Sequence, residues 1–221
     1  MKISTIPTLP QNLESAIAIQ QELRGKVIVE DRLEAVRYVA GLDVGFENNY
    51  SITRAAVAVF AFPQLILVET AIAFLPTTFP YIPGFLSFRE IPALLKALEQ
   101  LKITPDLIFC DGQGIAHPRR LGIACHLGVL IDVPAIGVAK SLLVGKYGEV
   151  PQKKGSWTPL QDQGETIGVV LRSRVNVKPI YISIGHRISL PTAVKYVRDC
   201  LGKYRLPEPT RIADKLASGK L

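Results

Sequence analysis

Near the middle of the chain, residues 107–114 read Leu107-Ile108-Phe109-Cys110-Asp111-Gly112-Gln113-Gly114. Four apolar residues in a row predict a short buried strand, and Asp111 stands at its C-terminal end before a Gly-x-Gly turn. Open α/β sheets bind their ligands at this edge. An ionised carboxylate is costly to bury unless a cation pairs with it, so Asp111 predicts a ligand site. Alternatively Asp111 only caps a turn, because Asp before Gly is common in turns.

The segments on either side of this strand predict an α/β fold, a mixed sheet with helices on its faces. Before it we predict a helix with a connector (residues 11–37) and three strands in an antiparallel meander (38–46, 55–60 and 65–74). An extended loop (76–84) and a second helix (86–101) follow. After it we predict a helix (residues 119–131), a strand (135–139) and a long loop (145–164). A hairpin of two strands (166–173 and 180–185) and two helices (189–201 and from 210 onward) complete the chain. No long linker divides the chain, so residues 1–221 are predicted to form one domain.

The charge of the chain is unevenly distributed. The net charge is +7 over 221 residues. Residues 1–139 carry 11 basic and 13 acidic side chains, whereas residues 140–221 carry 15 and 6. A basic half of this kind favours an anionic partner, and nucleic acid is the commonest one.

The cysteines and the N-terminus indicate the compartment. Cys110, Cys125 and Cys200 are an odd number without close pairing, which predicts reduced thiols in a cytoplasmic protein, and they show no zinc-ligand spacing. The first residues, Met1–Ser4, lack an apolar signal core, and no charge-poor run reaches the ~18–20 residues of a membrane span. We expect a monomer without a membrane partner.

Three carboxylates fall at related places in this predicted order of elements. A three-stranded meander followed by a helix and a strand ending in Asp is the order of the ribonuclease H-like fold, which places acidic residues at positions that here are Asp43, Glu90 and Asp111. Two hard cations held ~3.5–4 Å apart by such carboxylates can activate water and stabilise the leaving oxygen of a phosphodiester. Structural alternatives exist, because Glu90 could close a capping box with Ser87 and Asp214 could pair with Arg211 on a helix surface.

Five motifs occur in a fixed order along the chain. They are Gly41-Leu42-Asp43-Val44-Gly45, Pro80-Tyr81-Ile82-Pro83-Gly84, Phe88-Arg89-Glu90, Asp111-Gly112-Gln113-Gly114 with His117-Pro118-Arg119, and Gly137-Val138-Ala139-Lys140. Together they resemble the endonuclease V family, and the resemblance runs from about Tyr38 to Asp214. It implies a DNA-repair enzyme that recognises deoxyinosine, a deaminated adenine, and cuts the second phosphodiester bond 3′ of it. Magnesium is the implied cofactor, manganese can substitute for it, and the products carry a 3′-hydroxyl and a 5′-phosphate. Some members act on inosine in RNA.

The resemblance also implies roles for individual residues. Asp43, Glu90 and Asp111 would bind the metal, and Asp214 matches a fourth, more variable position. His117 and Lys140 would lie near the scissile phosphate. The loop Pro80-Tyr81-Ile82-Pro83 looks like the family's wedge, and its stiff prolines and aromatic tip suit the replacement of a base in a stack.

Further residues are assigned by their chemistry and position. A pocket that reads the base through main chain is predicted at small or apolar residues, namely Gly84, Leu86, Gly112, Gly114 and Ile123. Phosphate contacts are predicted at basic residues, namely Arg89, Arg119, Lys146, Lys153 and Lys154. Trp157 would either stack on a base or anchor the long loop. An inosine-specific endoribonuclease, another ribonuclease H-like nuclease and a catalytically silent nucleic-acid-binding protein remain alternatives.

Overall fold

The computed structural model describes residues 9–220, so the Met1–Ser4 stretch lies outside the described residues. Within them the chain forms, in order, α1 Leu13–Arg24, β1 Tyr38–Glu47, β2 Ile52–Ala61, β3 Ile66–Pro76, α2 Leu86–Glu99, β4 Leu107–Cys110, α3 Ile123–Ile131, β5 Ala135–Ala139, β6 Trp157–Asp162, β7 Glu165–Leu171, β8 Ile180–His186, α4 Leu190–Asp199 and α5 Glu208–Ala217.

The strands form one mixed sheet in the order β3-β2-β1-β4-β5-β8-β7-β6. The meander β1–β2–β3 is antiparallel, and β1, β4 and β5 run parallel at the centre. The remaining strands β8, β7 and β6 continue the sheet in antiparallel fashion. The predicted ribonuclease H-like mixed fold is therefore confirmed, including the meander and the pairing of the two strands predicted as a hairpin.

Helices cover both faces of the sheet because the central strands are apolar on both sides. Phe109 of β4 packs in the core beneath α4 and α5, while its neighbour Ile108 packs in the core beneath α2 and α3. All four residues of β4 are buried. A strand covered on both faces needs a continuous apolar run rather than alternation, which is what Leu107–Cys110 supplies.

Two glycines of β1 allow α5 to lie directly on the strand. A Cβ at Gly41 would come within 2.0 Å of the carbonyl oxygen of Pro209, and one at Gly45 within 2.2 Å of the carbonyl oxygen of Ala217. Successive residues of a strand alternate between its faces, so Asp43 lies between these glycines on the face that carries α5. The Gly-x-Asp-x-Gly spacing thus brings α5 over the Asp43 side chain.

Two predicted elements differ from the structure. The helix predicted from Arg119 begins at Ile123, because residues up to the N-cap Gly122 form turns and Arg120 adopts φ +57°. The predicted loop 145–164 contains β6, which has Pro159 in its middle. Proline is tolerated there because β6 is an edge strand of the sheet, and its additional bridge to Lys146 is formed by Gln161 and not by Pro159.

Two compositional predictions can be compared with the described residues. The three cysteines are buried free thiols. No helix within residues 9–220 combines the length and the apolar character needed to cross a bilayer. That the whole chain is one domain stays a prediction.

Candidate active site

Three carboxylates converge where β1 and β4 lie side by side. Leu42 and Cys110 are partners in the parallel register, so the residues that follow them, Asp43 and Asp111, are neighbours across the sheet. The backbone N–H of Asp111 donates to the carbonyl of Leu42 over 3.0 Å. Asp214 reaches the same place from α5. Each of these three side chains offers an oxygen, and the three oxygens lie within 4.8 Å of one another.

Glu90 approaches from α2, on the other face of the sheet. Together with Asp111 it lines a cavity of about 360 Å³. Glu90 is not part of the compact group of three, but its charge and those of Asp43 and Asp111 repel one another. The predicted metal-binding residues are therefore assembled at one edge of the sheet, three in close contact and one beside them.

A lysine lies among the three carboxylates. Lys140 follows β5, and its ammonium nitrogen is 2.5 Å from Asp111 Oδ2, 2.5 Å from Asp214 Oδ1 and 3.9 Å from Asp43 Oδ2. The guanidinium of Arg205 donates to the main-chain carbonyl of Lys140 over 2.5 Å and thereby anchors this segment. The strand order explains the placement, since β5 is the neighbour of β4.

Burial and mutual repulsion raise the pKa values of Asp43, Glu90 and Asp111. Burial raises the pKa of Asp43 to about 8, with the Asp111 charge acting in the same direction and the Lys140 charge against it. Burial also raises the pKa of Glu90 to about 8, again helped by its acidic neighbours. The pKa of Asp111 is raised by burial despite the nearby Lys140. Burial opposes the charge of Lys140, yet the carboxylates outweigh it and hold the lysine pKa above its ordinary value.

The donor set fits a hard divalent cation. Asp111 Oδ2 is buried, and the Lys140 ammonium at 2.5 Å compensates its charge. A buried carboxylate cluster requires such a positive charge at its centre, which either an ammonium or a metal ion can supply. All the convergent groups are oxygens, the ligands that magnesium and manganese prefer. Asp43, Asp111 and Asp214 could thus bind a metal ion, with Glu90 beside them.

His117 is buried and shapes the loop before α2. Its Nδ1 accepts from the N–H of Arg119 over 3.2 Å, so Nε2 carries the proton and donates to the Gly84 carbonyl over 3.0 Å. Gln20 and Arg119 donate to the same carbonyl. Burial lowers the pKa of His117 to about 4, so the ring is neutral. In this arrangement both ring nitrogens are engaged within the protein, and His117 lines the cavity together with Glu90 and Asp111.

The predicted wedge loop projects beside the cavity. Tyr81 is 68% exposed and lines the rim together with Pro83. Pro80 is exposed as well, whereas Ile82 is half-buried and packs against the cluster of Phe85 and Phe88. The loop thus has a free aromatic tip and an apolar anchor.

Most of the residues predicted for the base pocket line this cavity, namely Gly84, Leu86, Gly112 and Ile123. Gly114 does not. Its N–H donates to Ser183 Oγ over 2.8 Å, and a Cβ there would lie 1.9 Å from the Ile184 carbonyl oxygen. Gly114 therefore permits close packing of the turn on β8 rather than access of a base.

The predicted phosphate contacts fall into two groups. Arg89 is 8% exposed, and its guanidinium carbon lies 4.2 Å from the centre of the Phe46 ring, so this residue is not on the surface. Arg119 lies over the Phe85 ring and bonds to Gln20 and Gly84. Arg119 is thus held by hydrogen bonds within the protein, whereas Arg89 lies against aromatic rings and its buried Nε has no hydrogen-bond partner.

The predicted lysines are at the surface. Lys146 and Lys153 are exposed, and Lys154, also exposed, donates to the Gly202 carbonyl over 2.8 Å.

Sequence reasoning missed the cavity wall opposite Tyr81. Ser141, Leu142 and Leu143 form this wall, and the two leucines are 42% and 43% exposed. Gln113 fixes the wall by donating to the Ser141 carbonyl over 2.9 Å. Two adjacent leucines, separated from Lys140 by Ser141, are a detectable signal, whereas nothing in the sequence indicates that Arg205 binds the Lys140 carbonyl.

Comparison with known proteins agrees with this geometry. The endonuclease V family matches residues 21–215. A curated endonuclease V of Rippkaea orientalis is 71% identical over 220 residues, which cover 100% of this chain and 96% of that protein. The crystal structure of endonuclease V from Streptomyces avermitilis is 42% identical, with a TM-score of 0.91 over 97% of this chain and 95% of the other.

A Ciona intestinalis endonuclease V has been crystallised in complex with a 24-mer DNA that contains an inosine followed by a ribo-adenosine. It is 31% identical, with a TM-score of 0.82 over 94% of this chain and 97% of the other. Given the family match and these relatives, the chain belongs to the endonuclease V family, whose members are nucleases that hydrolyse phosphodiester bonds.

Proposed function

We propose that this nuclease recognises deoxyinosine in DNA and cuts the second phosphodiester bond 3′ of it, leaving a 3′-hydroxyl and a 5′-phosphate. The observation that carries the proposal is the convergence of Asp43, Asp111 and Asp214 around one point at the edge of a cavity whose rim bears Tyr81. The inosine in the DNA complex of the Ciona relative supports the choice of substrate. A role in repair of deaminated DNA would follow from this activity.

Magnesium is the proposed cofactor, with manganese as a substitute, held by Asp43, Asp111 and Asp214 with Glu90 beside them. When bound, such a cation supplies an activated water and neutralises charge that develops on the phosphodiester. The protein contributes the position of the phosphate. Lys140 is a point charge on a flexible stem, so its ammonium can turn from the carboxylates towards a phosphate oxygen.

The cavity is proposed to hold the flipped base. At about 360 Å³ it is at the small end of ligand-binding pockets. Gly112 has φ +155° and lacks the Cβ that would collide with Ile123, which leaves main chain open to the base. Hypoxanthine differs from adenine at position 6, where a carbonyl acceptor replaces an amino donor. A main-chain N–H at that point would pair with hypoxanthine and leave adenine unpaired, and such mismatches discriminate strongly.

Tyr81 is proposed to fill the gap that the flipped base leaves. An exposed aromatic ring on a loop stiffened by Pro80 and Pro83 can stack between the neighbouring bases. Flipping costs a few kcal/mol and less at a weakly paired base, which itself favours lesions.

The test is cleavage of matched strands that contain inosine or adenine at one position, as DNA and as RNA, with magnesium, manganese or a chelator. The parent protein should cut only the inosine strands and only with a metal. Because they remove metal-binding charge, Asp43→Ala and Asp111→Ala should each lower the rate by roughly three orders of magnitude or more while binding persists. Asp199→Ala, which removes an exposed carboxylate of α4, is the matched control and should keep full activity.

Two results would contradict the proposal. One is equal cutting of inosine and adenine strands by the parent protein, and the other is near-parental turnover in the Asp43 or Asp111 variant. The DNA and RNA arms decide between a deoxyinosine nuclease and an inosine-specific endoribonuclease. The chain as a monomer and its place in the cytoplasm stay predictions from the sequence.

A further inference from the structure

An open groove of about 630 Å³ lies at the sheet edge opposite β3, away from the acidic cluster. Trp157 and Pro159 of the edge strand β6 form one wall, and Leu190 and Val194 of α4 form the other. The groove exists because α4 packs on β8 and leaves this face of β6 uncovered. Trp157 is 46% exposed at one end of it.

Cations without partners flank the tryptophan. Arg198 is exposed at the rim and passes beside Gly155, about 3.6 Å from where a Cβ would stand. Lys153 is exposed on the turn before β6. Among residues 9–220 neither side chain has a hydrogen-bonding or ion-pair partner. Both belong to the strongly basic half of the chain, residues 140–221.

Although β6 is several strands away from the acidic cluster, the sheet register places Trp157 level with the strand ends that carry the cluster. Ala139, which precedes Lys140, is paired with Tyr181, and Ile180 is paired with Leu171, which in turn faces Trp157. Three strand spacings of ~4.8 Å put Trp157 about 14 Å from the end of β5. The groove and the carboxylates of β1 and α5 also share one face of the sheet, since α4 and α5 cover the same core.

From these contacts we infer that Trp157 is a second, outlying nucleic-acid site, on which a base of the substrate strand stacks several nucleotides from the scissile bond. The inference rests on the proposed function, because it assumes that the strand crosses the active-site edge. An exposed aromatic ring with an apolar wall and unpaired cations is the arrangement that binds single strands without sequence preference. One more strand spacing leads from β5 to Asp111 at the end of β4, which gives ~19 Å, or about six nucleotides of a stacked strand.

Trp157 is the only tryptophan of the chain, so its fluorescence reports this site directly. The full chain is titrated with magnesium and single-stranded inosine oligonucleotides whose second linkage 3′ of the inosine cannot be cleaved. One series lengthens the 5′ arm and another lengthens the 3′ arm. Quenching should be small with short arms and increase sharply in one series once the arm passes about six nucleotides. Equal quenching at all lengths, or none in either series, would overturn the inference.

Cleavage kinetics give a second readout with cleavable strands. Trp157→Ala should raise KM for the long-arm substrate roughly five- to a hundredfold, because the variant loses one base-stacking contact. The kcat and the KM for the short-arm substrate should not change. Trp157→Phe should restore most of the affinity because it keeps a ring. Phe74→Ala removes a similarly exposed aromatic ring from β3 at the other sheet edge and should change nothing.

The outcomes separate this inference from the proposed function. If the parent cuts inosine strands but arm length affects neither KM nor fluorescence, only the Trp157 site is refuted. If the parent shows no inosine-dependent cleavage, the proposed function itself fails. A fluorescence change on dilution without oligonucleotide would show that a second copy of the chain covers the groove, and would also refute the inference.

Discussion

Replacing Asp43 by asparagine should make the metal-free protein more stable at alkaline pH. The amide side chain would keep the acceptor that Asp43 Oδ1 offers to the N–H of Val44 over 2.8 Å, while the replacement removes a charge that burial disfavours. Burial raises the pKa of Asp43 to about 8, whereas its ordinary value is 3.8. Between these values the folded protein holds a proton that the unfolded chain releases, so the free energy of unfolding falls as pH rises through this window.

The magnitude follows from linkage. One pKa unit corresponds to about 1.4 kcal/mol, so the full shift of Asp43 would lower stability by at most ~5 kcal/mol between pH 4 and 8. Water that enters the site relieves part of this, and we expect about 2 kcal/mol at pH 8. For a protein of this size, this difference in the free energy of unfolding corresponds to a Tm about 4–8 °C higher in the asparagine variant. At pH 5 the difference should be clearly smaller, because only the lower part of the window between pH 3.8 and about 8 has then been crossed.

The assay is thermal unfolding of parent and Asp43→Asn from pH 5 to pH 8, in chelator and in magnesium. The readout is the difference in Tm between the two proteins at each pH. Both proteins contain the buried His117 and His126, whose pKa values burial lowers to about 4, so both gain stability from these residues as pH rises towards 6.5. Taking the difference removes this shared contribution. Magnesium at a hundred times its Kd should stabilise the parent by about 2.7 kcal/mol and the variant far less.

Asp199→Asn is the control, since this exposed carboxylate only pairs with Lys195 at 2.7 Å and should change stability by less than ~1 kcal/mol at either pH. The reasoning is refuted if the parent and the Asp43 variant respond identically to pH in chelator. It is equally refuted if magnesium raises the Tm of both by the same amount.

Three further predictions concern the loops and the turn around the site. Tyr81→Ala should weaken binding of inosine strands by roughly 1–3 kcal/mol, measured by fluorescence anisotropy, without loss of base preference, because the wedge ring does not touch the flipped base. Replacing Lys153 and Lys154 by serine should flatten the slope of log K against log salt by about 1–2, and an unchanged slope would remove this loop from the phosphate contacts. Gly114→Val should lower the Tm or prevent folding rather than alter specificity, since its side chain would meet the Ile184 carbonyl oxygen at 1.9 Å or less, and a folded, fully stable variant would contradict this.

The positions of Asp43 and Asp111 could be predicted because they follow from the positions of the strands. A parallel pair places the residues after its strands at one edge, so Asp43 and Asp111 become neighbours once β1 and β4 are recognised. Spacing alone could not give the partners of a side chain. Arg89 and Arg119 are predicted phosphate contacts, and only the structure shows that Arg89 lies against the Phe46 ring and Arg119 against the Phe85 ring.

By itself the sequence determined the mixed sheet, the central apolar strand Leu107–Cys110 and the acidic residues at its edge, because hydrophobic periodicity and strand order are properties of neighbouring residues. Only the tertiary structure decided that Asp214 and Lys140 complete the cluster and that Gly114 packs on β8 instead of facing a base. These contacts join segments far apart in the chain. They depend on how closely two backbones approach, as α5 does over Gly41, and no local pattern encodes that distance.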